Sequence, residues 1–207
     1  MEDSPALRVY GGIEGDRRRA DRRAQVLEAG LDLLGAPDGT RLTVRGVCQR
    51  AGIVARYFYE SFADRDELAR AVYDAVVDEV AASTAAAVDG CAGEPASRVR
   101  AGVANIVRLL DEDPRKARVL FEADLSDELM ARRRDNSHQL FVRLLGARAR
   151  DAYGPVGSAE LELTSQFVVG GFARALTAWL GGHVTMSREE LTEHCTALFL
   201  RIARPAR

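Results

Sequence analysis

The sequence predicts an all-α protein of about nine helices, and three observations lead to this prediction. From residue 17 onward, apolar residues recur at helical spacing almost everywhere. No segment alternates apolar and polar residues as a half-buried strand does. Glycine and proline pairs, which end helices, separate the apolar stretches. The 207 residues, 47% of them hydrophobic, have the composition of a globular protein and suffice for one large or two small domains.

The first helix is expected to follow a flexible tail. Residues 1–16 combine proline, three glycines and charged residues without a period, which is typical of a mobile terminus. The helix itself is predicted from about Arg19 to Leu34, before a glycine, a proline and an Asp38-Gly39 turn. Its predicted buried face consists of Val26, Ala29, Gly30, Leu33 and Leu34.

The second and third helices are short and follow each other closely. Thr43 is suited to cap the second helix, because its hydroxyl can accept a hydrogen bond from a free amide of the first turn. Gly52 ends that helix after about two turns, and the third helix is predicted from about Val54 to Ser61. Two short helices joined by a tight glycine turn follow the helix-turn-helix plan. The predicted buried residues here are Val44, Val47, Cys48, Ala51, Ile53, Phe58 and Phe62.

Six further helices are predicted from their start and stop signals. The fourth and ninth begin with capping boxes, and the fifth and sixth have a proline in the first turn. On the inward side of the fourth helix, Glu79 is the one polar residue among apolar ones. In chain order, the signals are Asp64 with Glu67, Pro95, Pro114, the span 126–152, Ser158 and Ser187 with Glu190.

The outward face of the third helix carries residues that can read DNA. Arg56 can donate two hydrogen bonds to guanine, and Ala55 or Val54 can contact a thymine methyl group. Tyr59 and Thr43 can bind phosphates, which positions a protein without reading sequence. The candidate DNA-binding residues are Thr43, Val44, Arg45, Val54, Ala55, Arg56, Tyr57, Tyr59, Arg65 and Arg19. Alternatively, Arg56 is a solvated surface residue and Tyr57 fills the base of the domain.

The charge distribution agrees with DNA binding by this segment. Residues 17–65 contain ten arginines and six acidic residues, a net charge of +4, whereas the whole chain has a formal net charge of −2. An arm suited to a phosphate backbone or a minor groove is formed by Arg17, Arg18, Arg19, Arg22 and Arg23. Alternatively, the arm is partly disordered and contributes only non-specific affinity. The alternative for the second and third helices is that they are two ordinary core helices of an α-helical bundle.

Spaced positions between Arg22 and Leu68 match a known pattern. They are Val26-Leu27, Ala29-Gly30, Leu33-Leu34, Gly39, Thr43, Ala51-Gly52-Ile53-Val54, Tyr59, Phe62 and Arg65. The segment resembles the DNA-binding domain of the TetR family of bacterial transcriptional regulators. Val54 stands where that family usually has a capping serine, Ser61 where it has a histidine or tyrosine, and Arg65 where it has a lysine. The stretch 113–123 and the Gly170-Gly171 helix are similar to members of the family as well.

The resemblance implies a homodimer, paired through its eighth and ninth helices, that places two recognition helices in a palindromic operator. A small molecule in the C-terminal domain would spread the two DNA-binding heads and release the DNA, which couples two distant sites. The implied regions are a tail (1–16), a helix-turn-helix domain (17–63, about 20–80 in the family) and a ligand-binding and dimerisation domain (64–207). The pocket candidates, each with an ordinary core or surface role as the alternative, are Tyr73, Phe121, His138, Phe141, Gln166 and Phe167.

Other functions have little support in the sequence. The three cysteines, Cys48, Cys91 and Cys195, are too far apart for a CxxC site and odd in number, so we expect a reducing cytoplasm. The sequence shows no signal-peptide pattern and no apolar run long enough to cross a membrane. We predict no metal, cofactor or catalytic site, because their motifs are missing. The alternative function is a helical dimer that binds or transforms a small molecule without operator-specific DNA binding.

Overall fold

The computed structural model describes residues 6–121, 128–153 and 158–202, and in these it has nine α-helices and no strand. The all-α prediction is therefore confirmed. The predicted start of the seventh helix, at residue 126, lies outside the described residues. The helices are α1 (Ala6–Leu34), α2 (Val44–Ala51), α3 (Ala55–Tyr59), α4 (Arg65–Asp89), α5 (Pro95–Glu112), α6 (Pro114–Phe121), α7 (Glu128–Tyr153), α8 (Ser158–Leu180) and α9 (Arg188–Ile202).

The first helix starts earlier than the sequence suggests. α1 begins at Ala6, so the predicted start near Arg19 is wrong. Glycine weakens a helix by about 1 kcal/mol relative to alanine but does not end it. No proline interrupts the chain between Ala6 and Leu34, and the helix runs through the glycines at 11, 12 and 15. Residues 1–5 of the predicted tail lie outside the described residues.

The chain forms two compact units, Met1–Ala75 and Val76–Arg207, and the division falls inside α4. In the first unit α1 packs against α2 and α3. Gly30 allows α1 to approach α4 closely, because a Cβ there would lie 2.8 Å from Cγ2 of Val72. The domain boundaries predicted at residues 16 and 63 stay predictions. Buried residues of this unit include Val26, Ala29, Val47, Cys48, Phe58, Phe62, Leu68 and Val72.

The second unit has its own core, formed by residues of α5, α6, α8 and α9: Val103, Val107, Leu110, Ala117, Leu176, Leu191 and Cys195. Nε1 of Trp179 donates a hydrogen bond to the carbonyl oxygen of Met186 at 2.8 Å, which ties the end of α8 to the segment before α9. The only lysine of the chain, Lys116 on α6, pairs with Glu79 on α4 (Nζ–Oε1 2.6 Å). Glu79 is thus exposed and paired instead of facing an apolar core.

Both predicted capping boxes are present. At the start of α4, the backbone N–H of Glu67 donates to Oδ1 of Asp64, and the N–H of Ala63 donates to Oε2 of Glu67, each at 2.6 Å. At the start of α9, the N–H of Glu190 donates to Oγ of Ser187 at 3.1 Å, and the N–H of Ser187 donates to Oε2 of Glu190 at 2.8 Å. Hydrogen bonds from the backbone N–H and the side chain of Ser187 lower the pKa of Glu190, because they favour its charged form.

Candidate nucleic-acid interface

Local signals set the ends of α2. Thr43 precedes the helix in an extended conformation, and its Oγ1 accepts a hydrogen bond from the N–H of Gly46 at 3.0 Å. Gly52 follows the helix in the left-handed conformation (φ 66°), where a side chain is strained, and its N–H bonds to the carbonyl oxygen of Cys48. The cap and the glycine turn are therefore confirmed as predicted, and together they fix where α3 begins.

Aromatic side chains anchor α3 to the first unit. Phe58 and Phe62 are buried, with ring centroids 6.0 Å apart, and the ring of Tyr59 meets Phe58 edge-on at 5.3 Å. Ile53, predicted as a third anchor, is only half-buried. α3 is also shorter than predicted: Val54 precedes it without a side-chain capping hydrogen bond, because valine has no acceptor.

The predicted reading residues form one exposed surface on α3. Val54 and Tyr59 are 62% and 58% exposed, and Ala55 is exposed too. The side chain of Arg56 is 85% exposed. Tyr57 is 38% exposed, so it does not fill the base of the domain, and the guanidinium of Arg22 lies over its ring at 4.7 Å. This surface of an arginine, two tyrosines and small apolar side chains matches what a major-groove helix presents.

Two arginines of the predicted arm support α3 instead of projecting from α1. Arg23 lies over the ring of Phe62 at 4.3 Å, and its Nη1 donates to the carbonyl oxygen of Ser61 at 3.1 Å. Arg22 lies over Tyr57, as described above. Each guanidinium thus has a partner on the segment it packs against, and the prediction that both belong to a DNA-binding arm stays a prediction. Arg17, Arg18 and Arg19 are exposed, and Arg19 pairs with Asp16 at 3.8 Å.

The predicted phosphate-binding residues lie at the starts of α2 and α4. Thr43 and Arg45 are exposed, and Val44 is half-buried. Arg45 makes no ion pair with any residue that the structure describes. Arg65, the first residue of α4, is half-exposed and pairs with the neighbouring Asp66 (Nε–Oδ1 3.1 Å). A helix start is a favourable place for an anion, because its free N–H groups point outward.

Sequence reasoning missed Glu60, which follows α3. Its carboxylate lies 3.4 Å from Nε of Arg56 and 3.8 Å from Nη2 of Arg22. The spacing of Arg56 and Glu60 is i, i+4, a spacing at which helical side chains meet, and this could have revealed the first contact. Nothing in the sequence points to the second, because Arg22 lies on another helix.

The pocket candidates comprise two polar residues, His138 and Gln166, and four aromatic residues. His138 Nε2 and Gln166 Oε1 are hydrogen-bonded at 2.7 Å, and Nε2 of Gln166 donates to Oε1 of Gln139 at 3.2 Å, so a polar chain joins α7 and α8. Phe121 and Phe141 are half-buried. Phe167 is 68% exposed, so the single chain does not enclose it. Tyr73 is buried and belongs to the first unit.

Other kinds of site find no counterpart in residues 6–121, 128–153 and 158–202. No group of three metal-binding side chains occurs in this part of the chain. None of its helices is both long and apolar enough to span a membrane. Burial raises the pKa of the Cys48 and Cys195 thiols, which disfavours the reactive thiolate.

No protein-family model and no curated protein matches the sequence, but solved structures of transcriptional regulators share the fold. A putative transcriptional regulator from Pseudomonas aeruginosa PAO1 has a TM-score of 0.75 at 21% identity, over 89% of this chain and 91% of its own. A TetR-family regulator from Streptomyces coelicolor has a TM-score of 0.69 at 20% identity, over 88% and 80%. FadR from Bacillus subtilis, solved with stearoyl-CoA, has a TM-score of 0.72 at 12% identity, over 85% and 96%. The chain therefore has the all-α fold of TetR-like transcriptional regulators, as its resemblance in sequence implies.

Proposed function

We propose that the protein is a sequence-specific DNA-binding transcriptional regulator, a homodimeric repressor that a small molecule releases from a palindromic operator. The observation that carries this proposal is the surface of α3, held out by a capped helix, a left-handed Gly52 and two buried phenylalanines. The fold shared with solved regulators supports it. Such a protein acts where the DNA is, in the bacterial cytoplasm, and needs no catalytic group.

The roles follow from side-chain chemistry. Arg56 pairs with a guanine, while Val54, Ala55 and Tyr57 contact neighbouring base edges. The remaining candidates, Thr43, Val44, Arg45, Tyr59, Arg65 and Arg19, lie against the phosphate and sugar backbone, which fixes the position of α3 on the duplex.

The dimer interface that we propose lies on α8 and α9. Leu163 and Phe167 on α8 are 72% and 68% exposed, and Leu198 and Ile202 on α9 are exposed too. Each pair is spaced i, i+4, so its members lie on one side of their helix. Exposed apolar patches of this kind mark protein interfaces. A dimer also gives the two recognition helices a fixed spacing, about 34–36 Å for successive major grooves.

Replacing Phe167 by glutamate tests the interface. A charge buried between two apolar surfaces is costly, so we expect the variant to be a monomer. A monomer contacts only one half of the operator, so its affinity for the operator should be as low as its affinity for random DNA. Sedimentation would measure the mass and fluorescence anisotropy the DNA affinity. The control is Leu144→Glu, an equally charged change at an exposed leucine of α7. A Phe167→Glu protein that remains dimeric would contradict this interface.

The effector site that we propose lies in the second unit, around the His138–Gln166–Gln139 chain, with Phe121 and Phe141 as apolar candidates. A few polar groups among apolar ones are typical of small-molecule sites. FadR from Bacillus subtilis holds stearoyl-CoA in this fold, so acyl-CoA compounds belong in the first ligand screen. A compound that weakens operator binding and raises the thermal stability of the protein would identify the effector class.

Selection from a random duplex library, followed by salt titration of the enriched sequence, tests DNA binding. We expect a palindrome that the protein prefers by at least about 10³-fold over random DNA. Arg56→Ala should reduce that discrimination by about 1–3 kcal/mol, whereas Arg65→Ala should weaken all DNA alike and lower the salt slope by about one. Purely electrostatic binding, which weakens with salt and shows no consensus sequence, would support the alternative of a helical dimer that binds a small molecule.

A further inference from the structure

The carboxylate of Glu60 lies between two arginines that belong to different helices. Its Oε1 is 3.4 Å from Nε of Arg56, four residues earlier on α3. Its Oε2 is 3.8 Å from Nη2 of Arg22 on α1. Each oxygen thus pairs with a different guanidinium, and the two ion pairs connect Arg22 on α1 with Arg56 on α3.

The contact with Arg56 uses the nitrogen that guanine recognition does not need. A guanidinium has five N–H donors in a planar fork. Pairing through Nε leaves the end-on edge of the fork available, and the one N–H that each of Nη1 and Nη2 has on this edge can donate together to O6 and N7 of a guanine. Glu60 therefore restrains the arginine without competing for its reading groups.

Glu60 is itself held in place. Its backbone N–H donates to the carbonyl oxygen of Arg56 at 3.1 Å, and its side chain is only 34% exposed. Arg22, on its other side, is 27% exposed and lies over the ring of Tyr57 at 4.7 Å. The contact with Tyr57 holds Arg22 independently of Glu60, so Glu60 has a supported partner on α1.

We propose that Glu60 is a positioning residue for DNA reading: supported by Arg22, it orients Arg56 toward guanine before the protein meets DNA. This inference rests on the proposed function. Restraining a flexible side chain in advance reduces the entropy that binding must overcome, and only a guanine contact benefits from the orientation. On random DNA the carboxylate contributes only repulsion of phosphates. Its removal should therefore weaken specific binding without weakening random binding.

The test measures the binding of Glu60→Gln to the enriched operator and to random duplex of the same length. We expect operator affinity to fall roughly two- to fivefold, the range set by an exposed ion pair and one restrained side chain. Random-duplex affinity should stay level or rise slightly. The matched control is Glu112→Gln, which removes the same charge from another i, i+4 pair, with Arg108 in the second unit, and should leave the preference unchanged.

Three results would overturn the inference. If Glu60→Gln binds the operator and random duplex more tightly by the same factor, Glu60 acts only by repelling phosphates. If it binds both more weakly by the same factor, Glu60 only supports the structure. The same loss of operator affinity in an Arg56→Ala background would show that the effect bypasses Arg56. If circular dichroism shows that the glutamine variant is unfolded, Glu60→Asp takes its place in the test. Aspartate keeps the charge but has a shorter side chain, so we expect a smaller loss of preference for the operator.

The same experiments distinguish a failure of this inference from a failure of the proposed function. If selection with the wild-type protein enriches no sequence, both are contradicted. If a sequence is enriched but the wild type and Glu60→Gln prefer it over random DNA by the same factor, only this inference is contradicted.

Discussion

The ends of α2 in the first unit and the helix contacts of the second unit differ in the sequence distance over which they are determined. In the first unit, Thr43 and Gly52 set the ends of α2 through contacts within four residues. In the second unit, side chains far apart in sequence join different helices, such as Arg100 and Glu193 (Nε–Oε1 2.6 Å). A helix end set by short-range contacts can be predicted from spacing, whereas a site between helices depends on how they pack.

The exposed surfaces of the two units also differ. α3 exposes Arg56, Tyr57 and Tyr59, whereas α8 exposes Leu163 and Phe167. Charged and polar groups with planar side chains are suited to DNA, and apolar patches are suited to another protein surface. In the function that we propose, the two surfaces bind two kinds of partner, and each can be tested by variants within its own unit.

The largest effect is expected from Phe62→Ala in the first unit. Phe62 is 2% exposed, so its truncation should cost about 3–5 kcal/mol and unfold this unit at moderate temperature. Circular dichroism would follow the helices, and the fluorescence of Trp179, the only tryptophan, would follow the second unit. As a control, Tyr59→Ala on exposed α3 should cost about 1 kcal/mol or less. Equal losses for both variants would contradict the burial difference between the two rings.

A smaller effect is expected at Gly52. Alanine in its left-handed conformation (φ 66°) should cost about 1–2 kcal/mol. The same substitution at Gly15, in α1 with open space around it, should stabilise the unit by up to about 1 kcal/mol, because alanine favours helix. Urea unfolding monitored by circular dichroism measures both. A destabilising Gly15→Ala would contradict the extension of α1 beyond the predicted start.

The smallest effect concerns Asp113 in the second unit. Hydrogen bonds from the Arg115 side chain, at 2.7 and 2.8 Å, hold the pKa of this carboxyl below its usual value of 3.8. Because the folded pKa is the lower one, the stabilisation is present above the unfolded pKa and disappears as pH falls through the folded pKa. Asp113→Asn should cost less than about 1 kcal/mol at pH 7, and the difference should shrink below pH 4. Urea unfolding at pH 7 and 3 measures it, and an equal difference at both pH values would contradict the linkage.

The sequence predicted the parts of the fold that depend on neighbouring residues. Thr43, Gly52 and the two capping boxes were correct, because each acts across three or four positions. The role of Arg23 was missed, because its partner Ser61 lies 38 residues away and only the packing of α1 on α3 brings them together. The exposure of Phe167 was missed for a similar reason, since the helical pattern does not show which side of α8 faces the core.

The pairing of Lys116 with Glu79 makes amine chemistry informative in this protein. Arginines supply nearly all of its basic side chains, so Lys116 is the one side-chain amine that an acylating reagent can modify. Its side chain is 13% exposed and paired with the carboxylate of Glu79, which makes it hard for a reagent to reach. The rate at which a reagent modifies this residue therefore measures how often α6 separates from α4, without any engineered label.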